Sequence, residues 1–185
     1  MLIDEPTCPL GEFDCTELTR RVLSVEEYQW HQDARRQQSY DVHAQTQALI
    51  LLFCSGWPKI TTTRANGWDL LADVAVPVME QIIAQRYETG GRVLRAMMAR
   101  LPPGARIARH RDSHPSFAIA HRIHVPLQTN PQVEFIVGKE IVPPRVHFAF
   151  ELNNHVEHQV INRGDTPRIH FIFDYAPRLD AAQHS

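Results

Sequence analysis

The sequence predicts a mainly β fold carrying helices at its N-terminal end. Three observations predict it. The length, 185 residues, is that of one domain. Before Gly91 the apolar residues recur with helical spacing. After it, short runs rich in Val, Ile and Phe alternate with Pro, Gly and Asn turn signals. One domain over 1–185 is expected, with residues 1–91 as a helical or mixed layer and 92–177 as the β core.

Taken in order, Ser24-Val25-Glu26-Glu27 has the spacing of a capping box and predicts a helix through about Gln38. Asp41 to Phe53 turns apolar and predicts a strand. Trp68 to Tyr87 carries Leu70, Leu71, Val74, Val78, Ile82 and Ile83 as a one-sided stripe, with Pro77 expected to kink or interrupt the helix and Gly90-Gly91 to end it. Strands are predicted at 92–99, 106–111, 120–127, 132–137, 145–151, 156–162 and 167–175. Pro102-Pro103-Gly104, Thr129-Asn130-Pro131, Pro143-Pro144 and Arg163-Gly164-Asp165 punctuate them. Short strands at this spacing predict an antiparallel barrel or sandwich.

Composition narrows the function classes. Hydrophobic residues at 43% and charged residues at 22% are ordinary globular values and exclude disorder and collagen-like structure. The formal net charge of −2 argues against a general nucleic-acid or anionic-membrane binder. Arg92 to Arg111 holds six arginines and no acid, but few aromatics interleave, so it reads as a solvated strand face. The longest apolar run, Ala48 to Cys54, is far short of a membrane span, and the opening MLIDEPTCPL has no apolar signal core. A soluble, cytoplasmic protein is expected. Cys8, Cys15 and Cys54 form no CxxC pair and no even framework, so a disulfide scaffold or thiolate zinc site is not. Trp30, Trp57 and Trp68 read as core or packing residues.

Histidine is concentrated. Eight of the 11 lie between His110 and His170, and histidine is both the commonest metal ligand and the usual acid–base group. In Gly104-Ala-Arg-Ile-Ala-Arg-His110-Arg-Asp112 the last histidine and carboxylate are two apart, hence on one face of a strand. In His155-Val-Glu-His158-Gln-Val-Ile-Asn162, the residues His158, Val160 and Asn162 share a face; in Arg168-Ile-His170-Phe-Ile-Phe-Asp174 so do Arg168, His170, Ile172 and Asp174. Arg122 and His124 repeat the two-residue spacing. Two histidines and one carboxylate form the facial triad of non-haem Fe(II) oxygenases, which leaves coordination positions open. A planar guanidinium in the same cavity suits an acid cosubstrate. His155 is the rival for the distal ligand but has the wrong parity; His114 precedes a proline and reads as a turn; His121 and His147 read as structural or exposed.

The segments LPPGARIARHRD, HRIHVPLQTNP and FELNNHVEHQVINRGDTPRIHFIFDY, in that order over Leu101 to Tyr175, resemble the aspartyl/asparaginyl β-hydroxylase family. The resemblance implies a double-stranded β-helix, a cupin-like jelly roll, and an Fe(II)/2-oxoglutarate-dependent dioxygenase using O2. It implies His110, Asp112 and His158 as metal ligands and catalytic residues. Arg168 would hold the distal carboxylate of 2-oxoglutarate, with Arg122 and His124 in the family's R-x-H cosubstrate motif. Vertebrate members have glycine where this chain has Asp112. The expected reaction is hydroxylation of an unactivated C–H of an amino acid, an amino-acid-containing metabolite or peptidyl Asp/Asn. The expected partners are thus a small-molecule or peptide substrate, with no nucleic acid and no membrane. Two alternatives stay open from the residues: a metallo-cupin enzyme that does not use 2-oxoglutarate, and a non-catalytic metabolite-binding cupin.

Overall fold

The structure, a computed structural model, describes residues 3–32 and 44–177. Among the described residues eleven strands build two antiparallel sheets. β1 (Thr7–Glu12), β2 (Gln47–Ser55), β3 (Thr61–Arg64), β4 (Arg92–Leu101), β6 (His121–Gln128), β9 (Phe148–Leu152) and β11 (Arg168–Ala176) form a seven-stranded sheet in the order β1-β9-β6-β11-β4-β2-β3. β5 (Arg106–His110), β7 (Val133–Val137), β8 (Glu140–Ile141) and β10 (His158–Asn162) form a four-stranded sheet in the order β5-β10-β7-β8. This is the jelly-roll arrangement, and each of the seven strands predicted after Gly91 is present within a few residues of its predicted bounds.

Alternation decides what each face of the large sheet meets. On β11, Ile169, Phe171, Phe173 and Tyr175 point one way, into the main core formed with β2, α1 (Thr16–Leu23) and α2 (Trp68–Arg86). Arg168, His170, Ile172 and Asp174 point the other way, toward the small sheet. Burying each large apolar side chain of that core stabilises the fold by about 1.5–3 kcal/mol. Trp30, only 2% exposed, closes one margin of this core, with the Arg100 guanidinium 4.4 Å from its ring centroid. The second cluster, Leu101, Ile107, Val133, Phe135, Val137, Phe150, Leu152 and Val160, lies between the two sheets.

Several local expectations are corrected. Ser24 ends α1 rather than starting a helix, its N–H reaching Arg20 O and Arg21 O. The capping box forms two residues later, between Glu26 and Gln29, and opens a short 3-10 helix over Glu27–His31. The remainder of that predicted helix, and the Asp41 end of the predicted strand, lie outside the described residues. Pro77 does not interrupt α2, which runs unbroken from Trp68 to Arg86. Pro77 is on the exposed side, where water can satisfy the carbonyl that its missing N–H leaves. Trp57 is exposed in the turn between β2 and β3. The polar side chain of Asn162 fastens the β10–β11 turn: its Nδ2 donates to the carbonyls of Leu101, Pro102 and Thr166, and its Oδ1 accepts from Gly164 N and Asn130 Nδ2. Gly164 has no room for a side chain there, since a Cβ would lie 2.2 Å from Asn130 Oδ1. Among the described residues no helix is long and apolar enough to cross a membrane, and all three cysteines are free. Burial pushes the Cys15 thiol up to about 12, so it is inert.

Candidate metal centre and cavity

Between the sheets is a cavity of about 380 Å³, including space open to solvent. The large sheet contributes Ala99, Arg122, His124, Leu152, Arg168 and Ile172; the small sheet and the loop after β5 contribute Ile107, His110, Asp112, Phe135, His158 and Val160. It is an apolar chamber with a few convergent polar groups, the general character of a small-molecule site.

His110 and His158 face each other across the β5–β10 ladder, with ring centroids 4.4 Å apart. Simple alternation from the inward Ile107 would turn His110 outward. The ladder pairs Ile107 with Val160 and His110 with His158, so the register shifts by one residue at Ala108–Arg109, and that bulge aims His110 into the cavity. His110 Nδ1 is 2.8 Å from Ala108 O and His158 Nδ1 is 3.0 Å from Val156 O. A carbonyl can only accept, so each ring carries its proton on Nδ1 and presents the Nε2 lone pair. Burial lowers the His158 pKa, only partly opposed by the Asp112 charge and the Val156 hydrogen bond, which keeps the ring neutral and able to ligate. Asp112 follows the end of β5, its Oδ1 3.9 Å from His110 Nε2. One ligand atom from each of His110, Asp112 and His158 falls within 4.8 Å of the others. Two imidazoles and a carboxylate are the donor set that suits Fe(II) with open positions.

Three strands set a charged row beside this cluster. Asp174 on β11 stands opposite Arg122 on β6 on one side and opposite Arg95 on β4 on the other, and its Oδ2 pairs with Arg95. Arg122 grips Asp174 with both tines of its fork, Nε to Oδ1 at 2.8 Å and NH2 to Oδ2 at 2.9 Å, while its NH1 donates to Asp112 Oδ2 at 2.8 Å. Arg95 donates to Asp174 Oδ2 at 3.3 Å and to Ser116 Oγ at 2.7 Å. Phe117 lies under both guanidinium groups, 4.3 Å from that of Arg122 and 4.8 Å from that of Arg95. All three charged residues are buried, Asp174 completely, so the row is stable only as a set: removing one partner of a buried pair costs about 3–5 kcal/mol.

Farther along the inward row of β11, Arg168 is 2% exposed, its guanidinium 5.7 Å from the Phe135 ring centroid. Its NH2 donates to His170 Nδ1 at 2.7 Å, and His124 Nδ1 is 3.3 Å from the same atom. Burial and the Arg168 charge hold the His170 pKa well below its ordinary value, so this imidazole is neutral and accepts at Nδ1.

Each predicted site residue therefore lines the one cavity. His110, Asp112 and His158 converge; Arg168 and His124 meet His170 in a separate polar group; Arg122 is directed at Asp174 and Asp112. His155 is exposed in the turn before β10, as its parity predicts. His114 accepts from Ser116 N at 3.2 Å, and His121 is bonded to Glu151 at 2.7 Å on the helix-facing side. Asp174 and Arg95 are the residues to which the sequence assigned no role, while His170 was set on the Arg168 face as a pocket-lining or core residue. Asp174 and His170 carried a signal in their shared parity with Arg168; Arg95 carried none, because a strand arginine reads as solvated.

Two facing antiparallel sheets around a cavity in which two imidazoles and a carboxylate converge define the class, a double-stranded β-helix of the 2-oxoglutarate, Fe(II)-dependent oxygenases. The model of the aspartyl/asparaginyl beta-hydroxylase family matches residues 16–177, and the chain belongs to that family. It is a 2-oxoglutarate-dependent hydroxylase whose cofactors are Fe(II), 2-oxoglutarate and O2. Nothing among curated proteins matches the sequence. Solved structures share the fold at low identity. A prolyl hydroxylase from Trichoplax adhaerens, in complex with a hypoxia inducible factor peptide fragment, is 13% identical with a TM-score of 0.62, covering 98% of this chain and 88% of that one. A 2OG-Fe(II) oxygenase family oxidoreductase from Burkholderia pseudomallei is 10% identical with a TM-score of 0.56, covering 95% and 96%. A viral collagen prolyl hydroxylase from Paramecium bursaria Chlorella virus-1 is 8% identical with a TM-score of 0.57, covering 94% and 97%.

Proposed function

We propose that the protein hydroxylates an unactivated C–H of an amino acid, presented free, within a small metabolite, or as a peptidyl Asp or Asn. His110, Asp112 and His158 hold the iron, and Arg168 with His124 holds the far carboxylate of 2-oxoglutarate. The observation that carries this reading is the convergence of the three donors in the cavity that also contains a buried arginine. When bound, the iron supplies oxygen activation, coupled to oxidative decarboxylation of 2-oxoglutarate to succinate and CO2, with the second oxygen atom entering the substrate.

The chain's own residues do the positioning. Ala108 O and Val156 O fix the tautomer and orientation of the two imidazoles, so Nε2 of each is ready without reorganisation. His170 accepts from Arg168 NH2 and so fixes the guanidinium plane against Phe135. An anion in that position is desolvated on one side by Phe135 and Ile172, which strengthens its attraction to Arg168. Ile107, Val160 and Leu152 give the chamber apolar walls, against which few ordered waters can be held.

The test is turnover with Fe(II), 2-oxoglutarate and O2 against a panel of free amino acids and of peptides bearing Asp or Asn. A product heavier by one oxygen atom, formed in step with succinate and abolished by His158→Ala, is expected. Substrate-linked succinate release that persists in His158→Ala would remove these residues from the chemistry.

A further inference from the structure

We propose that Asp174, acting through Arg122, is a positioning residue for the Asp112 carboxylate, and that metal affinity depends on it. The inference rests on the reading of Asp112 as a metal ligand. Asp112 lies beyond the end of β5, where no strand pairing fixes its backbone. Its two oxygens are differentiated: Oδ2 accepts from Arg122 NH1 at 2.8 Å, and Oδ1 lies 3.9 Å from His110 Nε2. A carboxylate held this way offers one oxygen toward the imidazoles, as a single donor.

Arg122 can hold Asp112 only if its own plane is fixed. Asp174 supplies that: it faces Arg122 across the β6–β11 ladder, and the bidentate pair locks the guanidinium with NH1 turned toward Asp112. A fork gripped on one side has a single orientation for its remaining nitrogen, which a lysine could not reproduce. Phe117 beneath the guanidinium, and the second salt bridge from Arg95, hold Asp174 and Arg122 in place in turn. In metal sites generally, groups that orient a ligand affect affinity by about 10–100-fold. The row also carries a consequence for Arg122: it positions the ligand carboxylate before any cosubstrate enters.

The test is titration of the metal-free full-length protein with Co(II), without 2-oxoglutarate, following the visible bands of the bound ion. Asp174→Asn and Arg122→Met should each weaken Co(II) binding about 10–100-fold and alter the bands, while the folded fraction by circular dichroism stays that of wild type. Arg122→Met leaves Asp174 paired with Arg95, so it decides the question if Asp174→Asn does not fold. In an Asp112→Ala background either substitution should add nothing, because the route runs through that carboxylate. Wild-type affinity in both variants would overturn the proposal, as would a loss of the same factor in the Asp112→Ala background. His110→Ala separates this from the metal-centre reading: if it too binds like wild type, that reading fails; if it loses the ion while both variants keep it, only the Asp174 inference fails.

Discussion

At the scale of single residues the site depends on which ring nitrogen carries a proton. His110 and His158 each have a main-chain carbonyl on Nδ1, so replacing either by Ala removes a donor that the backbone had oriented, and stoichiometric metal binding should be lost by calorimetric titration. Arg168→Ala should weaken 2-oxoglutarate by about 1.5–3 kcal/mol, the worth of a charge-assisted hydrogen bond, with metal affinity intact; Arg168→Lys should recover only part of it. His170 links the site to pH. Its pKa in the folded state is depressed below 6.5, so the unfolded chain takes up a proton there that the folded chain does not. Its contribution is complete above 6.5 and is lost as pH falls below that value, by up to about 1.4 kcal/mol per pH unit. Thermal melts of wild type and His170→Gln as pH falls from neutrality should diverge in slope, the variant being flatter; parallel slopes would mean that His170 is not held neutral. Sequence spacing brought out the three candidate ligands and Arg168, which share one cavity, because strand parity exposes shared faces. It did not show that Arg122 is directed at Asp174 and Asp112, since that follows from cross-strand register rather than from spacing along one strand.

At the scale of elements, β11 joins the two sides of the molecule. Phe171, wholly buried, belongs to the core with α2, while His170 and Ile172 on the same strand face the cavity side. Phe171→Ala should cost about 3–5 kcal/mol of unfolding free energy by denaturant titration, whereas Ile141→Ala, on an exposed edge strand, should stay within about 0.5 kcal/mol. Equal losses would contradict this layering. The strands after Gly91 were legible because Pro, Gly and Asn punctuate β-branched and aromatic runs. β1 was not, since TCPLGE contains Pro9 and Gly11 and pairs only at the sheet edge, with a register shift between those two residues. β3 was missed because TTTR is short, polar and marginal. α1 shows only Leu18 and Val22 as its buried face, too brief a stripe to read. The bulge at Ala108–Arg109 was equally invisible. The inward aim of His110 followed from its spacing to Asp112, although Asp112 lies outside the strand that argument assumed.

At the scale of the whole molecule the two sheets divide the work. The large sheet carries the core on one face and every cationic cavity residue on the other; the small sheet and the loop after β5 carry the candidate iron ligands. Cosubstrate and metal would therefore meet across the gap between the sheets. The central claim is that the metal held by the small-sheet side and the anion held by Arg168 belong to one chelated complex. Anaerobic addition of 2-oxoglutarate to the Fe(II)-loaded protein tests it, through the weak visible charge-transfer band of a 2-oxoacid chelated to Fe(II). The band should appear at saturation in wild type, vanish in His110→Ala, and require roughly 10–100-fold more cosubstrate in Arg168→Ala. A folded, iron-loaded protein that gives no band would contradict it, and would turn the cavity over to a metal-dependent reaction without 2-oxoglutarate.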